Sequence, residues 1–238
     1  MRKLMKAFGK LLKIFLIVFL ISFIAFVGIT YHEYVELKTA YPIEDAKTNL
    51  KAHTKVYVEY EDIATDLIDA TIAIEDRRFF DRYGVDYIAL GRAMWTNLIH
   101  MDLVQGGSTI EQQFIKIYYF KYQRSLTKKL MEIFFIYDLD NYYSKEEIIE
   151  MYVNIINYGD CYIGIGAAAN GYFGKSAIDL NLNEASLLAG IPNSPANLQL
   201  SNNNPKTYER QKKILKAMYE IDKIDIVEYD AIMHELAD

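Results

Sequence analysis

Apolar residues are distributed in two different ways along this chain. Residues 14–29 form an unbroken apolar run whose only hydroxyl is Ser22. Beyond residue 62 the apolar positions recur with helical spacing. Ile63, Leu67, Ala70 and Ile74 lie 4, 3 and 4 apart, which predicts an amphipathic helix. The same spacing predicts helices near 85–101, 109–121, 125–140, 145–156, 164–173, 183–190, 206–221 and 225–236. Breakers punctuate them at Gly84, Gly106-Gly107, Gly159, Gly174 and from Pro192 to Pro195. Residues 31–60 are polar and rich in tyrosine, with a β-prone "KVYVEY" at 55–60. They read as a stalk leading into the domain. The expected organisation is a basic tail over 1–13, an anchor over 14–29, a stalk over 30–60 and one mainly α domain over 61–238.

Charge sharpens the reading of the first run. Residues 1–13 hold five bases (Arg2, Lys3, Lys6, Lys10, Lys13) and no acid. The rest of the chain carries a net −11, within an overall −6. Sixteen helical residues span about 24 Å. Adding residues 9–13, with their lysines snorkelling, reaches the roughly 30 Å of a bilayer core. Tyr31 and Tyr34 follow where an interfacial aromatic belt belongs. A cleaved signal peptide would need a shorter core and a small-x-small site, and a buried core helix would not carry such a one-sided basic flank. A single-pass anchor fits best. The positive-inside rule then places the N-terminus in the cytoplasm and residues 30–238 outside it.

Composition narrows the chemistry. One cysteine excludes an internal disulfide and a cysteine zinc site, and the four histidines at 32, 53, 100 and 234 have no ligand spacing. The acidic balance argues against nucleic acid as a partner.

Three clusters remain. Glu75 closes the first predicted helix, three residues after Ile72 and seven after Ile68. It therefore shares an apolar face, where desolvation raises a carboxylate pKa and suits it to proton transfer; an ordinary helix end is the plainer alternative. Residues 105–113, "QGGSTIEQQ", place two glycines before a helix start, a setting that favours an anion such as phosphate. Thr109, Gln113 and Lys116 fall on one face of that helix. Ser108-x-x-Glu111 also reads as a capping box, which needs no ligand. Finally, residues 116–129 carry five bases and no acid, with Ile117, Tyr118, Tyr119, Phe120 and Tyr122 interleaved. Arg124, Lys128 and Glu132, four apart, line one predicted face. Anionic lipid headgroups suit such a surface, although a solvated charged helix has the same pattern.

In order, "EDRRFFDRYGVD" (75–86), "GGSTIEQQFIK" (106–116), "RSLTKKLME" (124–132), "SKEEIIEMYVNIINYG" (144–159) and "LNEASLLAGIPNSP" (182–195) resemble the five motifs of the peptidoglycan glycosyltransferases, family 51, in the monofunctional form of one anchor plus one catalytic domain. The resemblance covers about residues 60–220, and no penicillin-binding transpeptidase region follows within the 238 residues. It implies a mainly α, lysozyme-like fold of two lobes. It also implies polymerisation of lipid II into glycan strands. The growing chain on undecaprenyl pyrophosphate is the donor, and the GlcNAc 4-hydroxyl of lipid II is the acceptor. The β-1,4 bond forms with inversion. By position, Glu75 matches the general base. Glu132 matches a second glutamate that assists departure of the pyrophosphate directly, through a base, or through a divalent cation such as magnesium or manganese. Ser108, Thr109, Gln113 and Lys116 match the donor-site motif, with Arg124 and Lys128 adding positive charge. Asp76 and Phe79 match positions that shape the site, as does Arg82, where the family usually carries His. Glu111 stands where a hydroxyl residue is usual. The partners implied are lipid II, the growing glycan, membrane lipids, and transpeptidase, division or elongation proteins. Two other readings compete: an inactive relative that binds lipid II as a cell-wall scaffold, and a lytic muramidase. The second is disfavoured because hydrolysis of neutral glycan leaves the basic third motif without a pyrophosphate to hold.

Overall fold

A computed structural model describes residues 2–100 and 108–236. Among the described residues twelve α-helices follow in order: α1 Arg2–Ala40, α2 Ala46–His53, α3 Thr65–Glu75, α4 Tyr87–His100, α5 Ile110–Tyr118, α6 Leu126–Tyr142, α7 Lys145–Ile155, α8 Ile165–Phe173, α9 Leu182–Gly190, α10 Pro195–Leu198, α11 Pro205–Glu220 and α12 Ile226–Glu235. The fold is mainly α, and the described residues contain no β-strand, only an isolated antiparallel bridge between Asn157 and Ile163.

The helices form two groups on one continuous core. In one group α3, α9 and α11 pack on each other; in the other α5 packs against α6 and α7. Leu67, Ile72, Leu188 and Ile214 fill the first, while Phe114, Ile115, Phe135 and Ile148 fill the second. Burying a side chain of this size contributes about 1.5–3 kcal/mol. Several helix starts are fixed by side-chain caps: Ser144 with Glu147 on α7, Asn181 with Glu184 on α9 and Asp225 with Glu228 on α12 form reciprocal capping boxes. Gly164, at φ 83°, starts α8 where an added Cβ would lie 2.7 Å from the Asn154 carbonyl oxygen, so only glycine fits.

The first helix is longer than the apolar run. It continues without a break to Ala40 and packs on α6. Residues 6–40 form a helix long and apolar enough to cross a membrane. Beyond the apolar run, Tyr34 sinks between Phe134 and Phe135, with ring centroids 5.3 and 4.9 Å away. Lys38 reaches Asp138 at 2.9 Å, and the Tyr34 hydroxyl donates to the same carboxylate. Within residues 30–60, expected to be a stalk and entry to the domain, Tyr34, Ile43, Ala46 and Leu50 all join the core. The "KVYVEY" stretch forms no strand: Lys55 and Val56 lie in a turn, Tyr60 opens a 3-10 turn, and the segment between them is held by a side chain. Asn154 on α7 accepts from the Val58 N–H at 2.9 Å and donates to its carbonyl at 2.8 Å.

Candidate active site

Glu75 is the last residue of α3, where that helix meets both groups. Two donors hold its carboxylate. Gln113 Nε2, from α5, donates to Oε2 at 2.6 Å, and Arg210 Nη2, from α11, approaches Oε1 at 3.5 Å. Tyr152 on α7 donates its hydroxyl to Gln113 Oε1 at 3.1 Å. That bond fixes the amide so that its NH2 faces Glu75. Burial holds the Tyr152 pKa well above its ordinary value, so it remains a donor. Glu75 is thus presented as an acceptor by four elements that meet only in the folded chain.

Beside it lies a cavity of about 340 Å3 lined by Gln113, Lys116, Tyr122, Ile156, Asn157 and Pro195. Lys116 is the cation of this cavity, and its ammonium sits 5.8 Å from the Tyr122 ring centroid. Among the described residues no carboxylate comes within salt-bridge distance of it. Burial, and then the nearby Arg124 charge, push its pKa below the ordinary lysine value. A desolvated cation without a carboxylate is a seat for an anion.

The remaining expected site residues are placed less uniformly. The glycines Gly106-Gly107 and Gln105 lie outside the described residues. Ser108 is exposed, one residue before the cap of α5. The capping box is not Ser108 with Glu111 but Thr109 with Gln112. Thr109 is buried, and its hydroxyl accepts from the Gln112 N–H at 3.3 Å, so it serves the helix start first. Arg124 precedes α6, whose cap is Ser125, and therefore does not share a helical face with Lys128 and Glu132. Lys128 binds Gln123 and lies 5.9 Å from the Phe120 ring centroid. Glu132 is buried on α6 and pairs with Lys129. No group of three or more His, Cys, Asp or Glu able to hold a metal occurs among the described residues. The carboxylate of Glu132 is taken by Lys129, and no such cluster gathers around it among the described residues.

Arg82 and Glu111, two of the departures from the family pattern (the third being Ile117, where Asn is usual after Lys116), meet each other. Arg82 bridges Asp76 and Glu111, and Lys145 bridges Glu111 and Asp140, the latter at 2.8 Å. The backbone joins in: the Ile110 N–H donates to Asp76 at 3.3 Å and the Gly84 N–H to Asp140 at 2.5 Å. Burial raises the pKa of Asp76, opposed by Arg82, and that of Asp140, opposed by Lys145. Burial works against the Arg82 charge, but Glu111 and Asp76 more than offset it and its pKa is raised. Phe79 is fully buried below this network, with the Lys145 ammonium 4.9 Å from its ring centroid. The network ties the residue after Glu75 to the start of α5, so it fixes the helix end and the helix start that bring Glu75 and Gln113 together.

Sequence reasoning did not single out Arg210, Tyr152 or Lys145. Tyr152 and Lys145 lie inside the fourth motif without any local sign of their partners. Arg210 reaches Glu75 across a separation of 135 residues.

A carboxylate held as an acceptor lies beside a cavity whose cation meets no carboxylate among the described residues, an arrangement that can serve a proton acceptor and an anion side by side. Comparison with known proteins agrees. The family model described as Transglycosylase matches residues 43–219. A protein of Cupriavidus necator named as a transglycosylase is 38% identical over 194 residues, covering 82% of this chain and 83% of its own. Penicillin-binding protein 2D of Bacillus subtilis is 38% identical over 181 residues, 76% of this chain and 26% of that protein. Penicillin-binding protein 1A of Vibrio cholerae is 35% identical over 76% of this chain and 22% of its own. The chain thus spans about a quarter of the penicillin-binding proteins it matches. The crystal structure of penicillin-binding protein 1A from Haemophilus influenzae aligns over 74% of this chain and 17% of that one, at 24% identity and a TM-score of 0.43. The chain belongs to the transglycosylase family, whose members transfer glycosyl groups in peptidoglycan synthesis.

Proposed function

We propose that this protein polymerises lipid II into glycan strands. The observation that carries the reading is Glu75, held by Gln113 and Arg210 at the edge of the cavity that contains the desolvated Lys116. Glu75 takes the proton from the GlcNAc 4-hydroxyl of lipid II as that oxygen attacks the anomeric carbon of the donor. The carbon–oxygen bond to the undecaprenyl pyrophosphate breaks on the opposite face, which inverts the centre. The departing pyrophosphate gathers negative charge, which Lys116 meets, with Arg124 adding to the local positive field. Thr109 and Asp76 hold the α5 start in register; on α6, Glu132, paired with Lys129, assists departure of the pyrophosphate through that base, and Lys128 adds positive charge.

The basic N-terminal tail and the apolar helix support a single-pass arrangement, with the tail in the cytoplasm and the cleft on the outer face. Tyr122 and Leu126 are exposed beside the basic segment, as are Ile88 and Trp95 on α4, which supports contact with membrane lipid. The scaffold alternative would rest on Arg82 and Glu111. Arg82 pairs with Asp76 and Glu111, and Glu111 also with Lys145, although the buried Arg82 Nε has no partner among the described residues; neither residue pairs with Glu75.

The test is purified protein in detergent with labelled lipid II, products resolved on a gel. Wild type, Glu75→Gln and wild type with moenomycin, which mimics the family's donor, run together. A polymer ladder abolished in both controls is the expected result. A folded protein that binds lipid II but makes no ladder would transfer the conclusion to the scaffold reading.

A further inference from the structure

A second cavity, of about 580 Å3, lies across the segment 192–198 from the first. Pro192, Pro195 and Ala196 face the Lys116 cavity, while Asn193, Ser194 and Asn197 face this one. The opposite wall is α11, with Lys206, Arg210 and Lys213 spaced four and three apart on one face. Arg210 belongs to both regions: it lines this cavity and reaches Glu75 at 3.5 Å. Its buried Nε has no partner among the described residues. Lys206 and Lys213 are exposed and make no ion pair among the described residues, while the one acid of the lining, Glu209, is paired to Lys212 at 3.3 Å. A cavity with an excess of positive charge, in a chain of net charge −6, selects an anion. Amide and hydroxyl side chains on the facing wall suit peptide and sugar groups, and the volume is that of a ligand site rather than a packing gap.

We propose that this cavity binds the carboxylate-bearing stem peptide of the acceptor lipid II, with Lys206 and Lys213 as its anion contacts. The inference rests on the polymerase reading above. The donor pyrophosphate takes the Lys116 side of the 192–198 wall. The acceptor hydroxyl must reach Glu75, so the cavity sharing Arg210 with Glu75 is left to the acceptor. Its role is to select acceptors, because Lys206 and Lys213 touch no reacting atom.

The test compares full-length wild type, K206A/K213A and K206R/K213R in detergent. A lipid-linked tetrasaccharide, its stems either native or amidated, serves as donor. The acceptor is lipid II with either its native stem peptide or one whose carboxylates are amidated. Two exposed lysine–carboxylate pairs favour the native acceptor by roughly two- to tenfold in kcat/KM. Wild type and K206R/K213R should show that preference, and K206A/K213A should lose it. An undiminished preference in K206A/K213A overturns the proposal. So does a preference that follows amidation of the donor stem instead. Binding of soluble GlcNAc–MurNAc–pentapeptide to the same three proteins, followed by titration calorimetry, separates the two levels. Lysine-dependent binding without polymer would sink the polymerase reading and keep this site. Equal binding by all three proteins would sink the site, whatever the polymerase does.

Discussion

Replacing Arg82 with Met should destabilise the protein more than replacing Glu111 with Gln, although the two residues face each other. The cluster holds three carboxylates (Asp76, Glu111, Asp140) and two cations (Arg82, Lys145). Side-chain exposure is 0% for Glu111, 10% for Arg82 and 16% for Lys145, so none of these three is well solvated. Removing Arg82 leaves three buried carboxylates to one ammonium. Breaking a buried pair in this way costs about 3–5 kcal/mol. Glu111→Gln instead leaves Arg82 with Asp76 and Lys145 with Asp140, one partner each, and keeps an acceptor oxygen, at about 1–3 kcal/mol. For a domain of this size each kcal/mol moves Tm by roughly 2–4 °C. Thermal unfolding in detergent should therefore drop by roughly 6–20 °C for Arg82→Met and by less for Glu111→Gln. The double substitution should lose less than the sum of the two, because neighbours in one network do not add. Acidification should narrow the Arg82→Met deficit. Asp76 and Asp140 have folded pKa values raised by burial, so the folded state holds more protons than the unfolded state. Stability from these groups then falls as pH rises and recovers as pH falls toward the ordinary carboxylate range. A larger loss for Glu111→Gln, or strict additivity, would refute the charge count.

Other consequences concern the site itself. Lys116→Ala should weaken donor binding, read as displacement of labelled moenomycin, more than Glu75→Gln does; equal affinities would remove Lys116 from the donor site. Because burial and Arg124 lower the Lys116 pKa, donor kcat/KM should decline on the alkaline side before an ordinary lysine would titrate, and Lys116→Arg should flatten that limb. Gln113→Ala frees one side of Glu75 and should lower kcat by roughly ten- to a hundredfold, with Tyr152→Phe, which only loosens the amide, falling between that variant and wild type.

Much of this arrangement is legible along the chain because it is local. The periodicity places α3 and ends it at Glu75, and the apolar spacing recovers most helices from α5 to α12. What escapes depends on distant partners. "STIEQQ" contains two overlapping capping patterns, Ser108 with Glu111 and Thr109 with Gln112, and nothing nearby chooses between them. The choice is made by Arg82 and Lys145, which draw Glu111 into the interior and leave Gln112 to turn back on Thr109. Residues 31–60 show too few apolar positions to announce a core. Their burial comes from α6, a hundred residues on, whose Phe134, Phe135 and Asp138 receive Tyr34. Arg210 looks like any surface base of a lysine-rich helix until α11 is laid against α3.

The unbroken passage of α1 from its apolar run into the grip of α6 makes the anchor a mast rather than a tether. Tyr31 and Tyr34 press on Phe134, and Lys38 holds Asp138, so turning the helix about its axis turns the whole cleft with it. One residue inserted after Thr30 would rotate everything beyond it by about 100° and lift it about 1.5 Å. The compass bearing of the cleft over the bilayer is thereby written in the number of residues between the apolar run and Tyr34, and two chains with identical catalytic residues but a different count there would work the same surface from different sides.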